Sequence, residues 1–374
     1  VTNKLDIKDK SGNYSMLGIL ALLLGLLLFL FSLDLMGQSF KSLSQDTIQS
    51  FIQASANPFI GLFIGLLITA LIQSSSTSTA IIITAVASGS ITFQDSVPMI
   101  LGANVGTTLT STLICLGYID QKKEFRKAFA TGVIHDFFNI IVVAILFPLE
   151  LNYGLLSSFT TQIAGLFSDH SPAAVGDNMT YNNMFDFGLS QGFIDLVGNG
   201  LITLVISFAG LIGAVKLVSR QIYNSVIGDS QSKLRLYLFK NPFKSFGWGV
   251  VTTGIIQSSS ITTSLVVPLV ATGKVKLKKI APFIYGANVG TTITAFITVA
   301  FNSTTVLNTA ILHLLINLFG ILLFLPFPAI RNLPVKMSKK FAAVIAKHRI
   351  GVAFYILLVF FIIPFVLINI YQNN

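Results

Sequence analysis

The chain has 374 residues, of which 53% are hydrophobic and only 10% charged, with a mean hydropathy of +0.79. Soluble domains carry roughly 25% charged residues, so this composition excludes an ordinary globule and places the chain in a bilayer. The net charge of +10 does not indicate nucleic acid, because the basic residues sit in short segments between apolar runs, where the positive-inside bias accounts for them.

Seven apolar runs are long enough to cross a hydrocarbon core. The first, Met16 to Met36, follows Lys4, Lys8 and Lys10 but lacks a small-x-small cleavage site, and is read as a retained helix. Ser42 to Ala54 mixes polar and apolar residues as an interfacial amphipathic helix does. Asn57 to Ser88 is too long for one span, and the string Gln73-Ser-Ser-Ser76 divides it into halves short for two. A helical hairpin dipping to mid-membrane and returning is the economical reading. Val97 to Tyr118 follows and holds the only cysteine, Cys115, so no disulfide or cysteine metal site is expected and the thiol is read as a packing residue.

Ala128 to Leu149 carries His135, Asp136 and Asn139. Glu150 to Gln191 contains acidic residues and no Lys or Arg, as an external linker should, with a loop-like stretch from Ser168 to Asn183. Phe193 to Val218 is the next span, and Gln221 to Phe239 a second interfacial segment. A second hairpin, Asn241 to Thr272, is interrupted by Gln257-Ser-Ser-Ser260. Spans at Ile280 to Ala300, Val306 to Ile330 and Ile350 to Ile370 complete the chain.

The order is a duplication. Gly102-Ala-Asn-Val-Gly-Thr-Thr108 recurs as Gly286 to Thr292, each copy 29 residues beyond its Gln-Ser-Ser-Ser, and Asn57 to Leu113 aligns without a gap on Asn241 to Ile297. The aligned loops carry opposite charge: Ser90 to Asp95 faces Lys274-Val-Lys-Leu-Lys-Lys279, and Lys122-Lys-Glu-Phe-Arg-Lys127 faces Phe301 to Thr305. The two copies are therefore expected to be inserted upside down relative to each other. With the amino terminus cytoplasmic and the carboxyl terminus external, 23 of the 24 Lys and Arg residues fall on the cytoplasmic side, leaving Lys41 outside.

Non-helical backbone at membrane depth survives only where it is buried in protein or lines a cavity. The hairpin tips supply Gln and Ser oxygens and donors, and the glycines of the Gly-Ala-Asn-Val-Gly-Thr-Thr strings permit left-handed turns, so each string is expected to break its helix. Broken helices offer amino-terminal amides to an anion, while freed carbonyls and Ser, Thr, Asn or Gln oxygens suit sodium. The residues this singles out are Gln73, Ser74, Ser75, Ser76 and Asn104 in one copy and Gln257, Ser258, Ser259, Ser260 and Asn288 in the other, with Thr107, Thr291 and Thr294 beside them. The bland alternative is that small residues merely let helices pack closely.

Lys and Arg are absent from both tips and both strings, so a dianion there would need hydroxyls, amides and bound cations to offset its charge. That favours symport with metal cations. A proton carrier should show a chain of intramembrane carboxylates, and the spans hold little beyond Asp136 and Asp195. His135 and Asn139 recur as His313 and Asn317 while Asp136 does not, which points to an extra cation site at Asp136 and Asn139, with pairing to Arg126 or Lys127 as the alternative. The histidines are expected to be packed and hydrogen-bonded.

With Gln-Ser-Ser-Ser-Thr-Ser-Thr, Gly-Ala-Asn-Val-Gly-Thr-Thr, Glu124-Phe-Arg-Lys-Ala-Phe129 and His135-Asp-Phe-Phe-Asn139 in order, the chain resembles the type II sodium-dependent phosphate cotransporters, in a bacterial form. The resemblance implies phosphate binding by the two Gln-Ser-Ser-Ser regions, sodium binding by Gln257, Ser258, Ser259, Thr291 and Thr294, and electrogenic uptake of three sodium ions per divalent phosphate because Asp136 is present. The expected fold is an all-α polytopic membrane protein of two inverted repeats, each with a re-entrant hairpin and a broken transmembrane helix. Residues 1–149 form the first repeat, 150–192 the linker, 193–330 the second repeat, and 331–374 a cytoplasmic loop and an extra span. The expected setting is the bacterial inner membrane. The expected partners are inorganic phosphate, sodium and lipid, with no cofactor beyond the transported ions, and a homodimer of complete transport units is open to it. Competing classes are a channel, a sodium-coupled carrier of another solute, and an intramembrane serine hydrolase using a histidine base.

Overall fold

The computed structural model describes residues 16–42, 57–168, 189–227, 239, 241–300, 306–345 and 349–372, and among them every regular element is helical. Three helices, Lys122–Tyr153, Leu277–Val299 and Leu307–Phe324, are long and apolar enough to cross a membrane, and there are shorter apolar helices besides. The interfacial segments fall largely, and the Ser168 to Asn183 loop almost wholly, outside the described residues, as does the loop 301–305.

Helix α1 (Met16–Ser42) precedes the first hairpin, and α7 (Leu155–Ser168), α8 (Leu189–Val197) and α9 (Gly200–Ile227) lie between the two halves of the sequence. α1 and α9 occupy equivalent places ahead of their hairpins and pack against each other, with Ser39 donating to the Thr203 hydroxyl at 3.0 Å.

Both hairpin regions fold as two short helices around a sharp turn. In the first copy α2 (Pro58–Ile72) and α3 (Ser75–Ala87) flank the tip; in the second, α10 (Pro242–Ile256) and α11 (Ser259–Ala271) do. The local sequence dictates both starts. Asn57 and Asn241 cap their helices by accepting from the backbone N–H of Phe59 (3.0 Å) and Phe243 (2.8 Å), with proline next, where no N–H is needed. At 15 residues these first arms reach about 22 Å, short of a hydrocarbon core of about 30 Å.

The helix carrying the repeated string differs between copies. In the first copy α4 (Phe93–Gly106) stops at Thr107 and α5 (Thr108–Ile114) continues into a 3₁₀ turn, Cys115–Tyr118. In the second copy α12 (Leu277–Ala300) runs through the string without interruption. The expected break is thus absent from the second copy, and none of Gly102, Gly106, Gly286 or Gly290 has positive φ.

The glycines serve packing instead. A Cβ on Gly102 would overlap the Leu62 carbonyl, and one on Gly65 the Met99 carbonyl; in the second copy Gly286 meets the Phe246 carbonyl and Gly249 that of Phe283. At Gly290 a Cβ would lie 2.6 Å from the Thr253 side chain and 2.7 Å from the Val250 carbonyl. Glycines four apart share one helix face, so α4 seats on α2 and α12 on α10 with backbones in contact.

The second arms cross between halves. α3 packs against α12, through Ile83 and Val86 against Ala295 and Val299, while α11 packs against α5 and against α6 (Lys122–Tyr153). The remaining spans show smaller departures. The run Phe193 to Val218 is divided at Gly198, which has positive φ, and Ile350 to Ile370 contains a π turn, Leu358–Ile362. Basic segments meet at one end of the bundle: the Lys127 ammonium lies 3.3 Å from where a Gly273 side chain would begin, and Ser245 bonds to the Lys279 carbonyl.

Candidate functional site

The two tips touch. Each first arm ends in a glutamine in the left-handed region, Gln73 with φ 59° and Gln257 with φ 56°, the only non-glycine residues with positive φ among those described. Their N–H groups close the preceding turn on the carbonyls of Thr69 (2.7 Å) and Thr253 (2.6 Å). A left-handed residue without glycine's freedom is strained by roughly 1–2 kcal/mol, and such strain gathers at functional sites. The turn leaves the glutamine carbonyl outside any helix ladder. Ser76 donates to the Gln257 carbonyl at 3.4 Å, and Ser260 donates to the Gln73 carbonyl at 3.2 Å. Those four residues are equivalent pairs of the repeat, so the contact is reciprocal.

Around the tips the polar side chains are buried at unusual density. Ser75, Ser76, Thr77, Ser78 and Thr79 are all buried on α3, and Ser259, Thr262 and Thr263 on α11. Ser74 caps α3, accepting from the Thr77 N–H at 3.3 Å and its hydroxyl at 2.9 Å. Ser111 and Thr263 share a hydrogen bond of 3.0 Å that joins α5 to α11. The hydroxyls of Thr79, Thr107 and Thr294 and the amide nitrogen of Asn104 are buried without a hydrogen-bond partner. Buried polar atoms ordinarily find partners; the hydroxyls of Thr69 and Thr253 on the first arms are open in the same way.

The string asparagines are occupied differently. Asn288 pairs with His135 Nε2 through its Oδ1, and its Nδ2 donates to Asn139 Oδ1 at 2.8 Å; Asn139 in turn donates to the Asn104 carbonyl at 2.6 Å. One chain of bonds thus ties α12 to α6 and α4. Thr291 donates to the Asn288 carbonyl at 2.5 Å. The histidine fits its expected packed role: His135 is buried and bonded to Asn288 rather than to a tip serine. His313 is buried too, with its Nδ1 unpartnered.

Asp136 lies 1% exposed and bonds to no Lys or Arg among the described residues, so pairing with Arg126 or Lys127 is not what holds it. Its Oδ2 accepts from the Tyr355 hydroxyl at 2.6 Å and from Thr112 at 3.4 Å, while Oδ1 has no partner. Sequence reasoning missed Tyr355, Thr112 and Ser111. No local signal marks Tyr355, which is 219 residues from Asp136. Cys115 is buried against the carbonyls of Ser111 and Ala128, a packing residue as expected. Asp195, left without a role by its sequence, is exposed and accepts from Gln191 at 2.9 Å.

The profile of the family described as Na+/Pi-cotransporter matches residues 28–167 and 210–346, one stretch for each half. The chain belongs to that family. Among relatives of the Na+/Pi-cotransporter family, the sodium-dependent phosphate transport protein 2B of Homo sapiens is 28% identical over 446 residues, covering 93% of this chain and 64% of that protein. The sodium-dependent phosphate transport protein 2A of Rattus norvegicus is 28% identical over 421 residues, covering 92% of this chain and 66% of that protein. The chain therefore spans just under two thirds of the length of these relatives. The family description and these names are those of transporters, not enzymes. No solved structure matches the chain significantly.

Proposed function

We propose that the chain is a sodium-coupled symporter that imports inorganic phosphate across a bacterial inner membrane, with a mid-membrane site where two inverted repeats meet. The observation that carries this reading is the reciprocal pair of bonds between Ser76 and Gln257 and between Ser260 and Gln73. Alternating access needs two equivalent gates around one site, and the two tips are equivalent in sequence and in contact. The relatives' names supply sodium and phosphate as the solutes.

In this reading the serine hydroxyls of Gln73 to Ser76 and Gln257 to Ser260 donate to phosphate, in place of the Lys or Arg that the tips lack. Sodium ions held by Gln257, Ser258 and Ser259 with Thr291 and Thr294 offset the substrate's charge, which low dielectric makes necessary. Asn104, Asn139 and Asn288 form the frame behind the tips, and the open hydroxyl of Thr107 and Oδ1 of Asp136 are the ligands of a further cation. Three sodium ions with one divalent phosphate move one net positive charge inward. The length of the 15-residue first arms, short of a hydrocarbon core, supports the re-entrant reading of the hairpins.

The test is uptake of radiolabelled phosphate into proteoliposomes with sodium outside and potassium inside, with and without valinomycin. Sodium-dependent accumulation that rises with an inside-negative potential is expected. Absence of phosphate uptake from correctly inserted protein overturns the reading.

A further inference from the structure

We infer that Tyr355, on the helix that follows both repeats, is a positioning residue that holds the Asp136 carboxylate with one oxygen turned to a cation. The inference rests on Asp136 as a cation ligand, proposed above, and adds the part of the chain that aims it. A carboxylate has two oxygens and about four acceptor positions. Here Tyr355 and Thr112 both donate to Oδ2, the Thr108 hydroxyl lies beside the carboxylate while donating to the Val105 carbonyl, and Oδ1 is left buried without a hydrogen-bond partner. A carboxylate that only filled a structural role would have both oxygens engaged, because an open buried oxygen is unfavourable.

The Tyr355 ring is fixed independently of Asp136. Phe341 meets it edge-on at 4.9 Å, Phe360 at 6.1 Å and Phe129 at 6.2 Å. Phe129 precedes Asp136 by two helical turns on α6, so the same helix that carries the carboxylate also packs the ring. Phe360 stands in the π turn, Leu358–Ile362, and is buried there. The stretch matched by the family profile ends at residue 346, so Tyr355 is contributed from beyond the repeated frame. The last helix is then part of the ion-coupling apparatus and not merely a tether.

The experiment compares Tyr355→Phe, Asp136→Gly and the double variant in proteoliposomes, reading sodium dependence at fixed phosphate, phosphate dependence at saturating sodium, and charge per phosphate. Tyr355→Phe keeps the three ring contacts, and an unchanged thermal midpoint checks that. The expected result is an increase of about tenfold in the sodium concentration for half-maximal uptake, the size of one hydrogen bond to a charged group, with half-saturation by phosphate unchanged. In the Asp136→Gly background the same substitution should have no further effect on sodium, since coupled residues are non-additive. Unchanged sodium dependence in Tyr355→Phe, beside an altered charge per phosphate in Asp136→Gly, overturns the inference alone. Unchanged sodium dependence and charge in Asp136→Gly itself removes the cation reading and the inference with it.

Discussion

The string Gly-Ala-Asn-Val-Gly-Thr-Thr is identical in the two halves, yet it closes α4 in one and lies inside the unbroken α12 in the other. The difference lies in the residues at its end and just downstream. In the first copy, Ser/Thr fill five of the six positions 107–112; in the second, three of the six positions 291–296, with Ala295 and Phe296 standing where Ser111 and Thr112 do. Hydroxyl side chains compete for backbone groups and loosen a helix, and here Ser111 is drawn to Thr263 and Thr112 to Asp136. The same seven residues thus end or continue a helix according to partners outside them. The asparagines repeat the lesson: Asn288 bridges His135 and Asn139 through its side chain, whereas Asn104 offers its carbonyl and leaves its amide nitrogen open.

The features common to both halves can be broken first. Gly102→Val and Gly286→Val are expected to be equally severe, each forcing a side chain into a carbonyl of the neighbouring helix and destabilising by more than about 3 kcal/mol. Loss of a monodisperse peak in detergent chromatography for both, beside a normal peak for Gly213→Ala, where a Cβ meets nothing within 4 Å, is the outcome that supports shared packing. A well-behaved Gly286→Val would mean that the second interface is looser than its geometry.

Function separates from packing at the tips. Gln257→Ala or Ser259→Ala is expected to abolish sodium-coupled uptake while insertion and chromatographic behaviour stay normal; wild-type rates from either would remove the site assignment. The smallest effect concerns the strained turns. Gln73→Gly and Gln257→Gly should each raise stability by about 1 kcal/mol, because glycine accepts φ near +57° without strain. A rise in thermal midpoint in one copy alone would show that the two turns are held differently.

Much of the tip geometry was legible in the residues. Gln-Ser-Ser-Ser announced each turn; the Asn-Pro that starts each first arm is local chemistry of the same kind, an N-cap followed by a proline, and was left unread. The glycines misled. Glycine signals both a left-handed turn and a close helix contact, and the spacing of four in Gly102 to Gly106 and Gly286 to Gly290, matched by Gly61 to Gly65, was the sign of contact. The bonds joining Asp136 to Tyr355 and His135 to Asn288 span 219 and 153 residues. Such pairings depend on how helices assemble, and no window of sequence contains both partners.

The seating of backbone on backbone between α2 and α4, and between α10 and α12, also limits how the molecule can bend. Helices interlocked through glycine cannot slide past one another by small steps, since packed interfaces switch rather than stretch. Each pair is therefore one slab. In the first half the slab has its edges at Gln73 and Thr107, where both helices stop; in the second it ends only at Gln257, because α12 carries on. A crease thus runs across one half and only partway across the other, and a molecule built on a repeated plan has been given one pliable leaf and one stiff one.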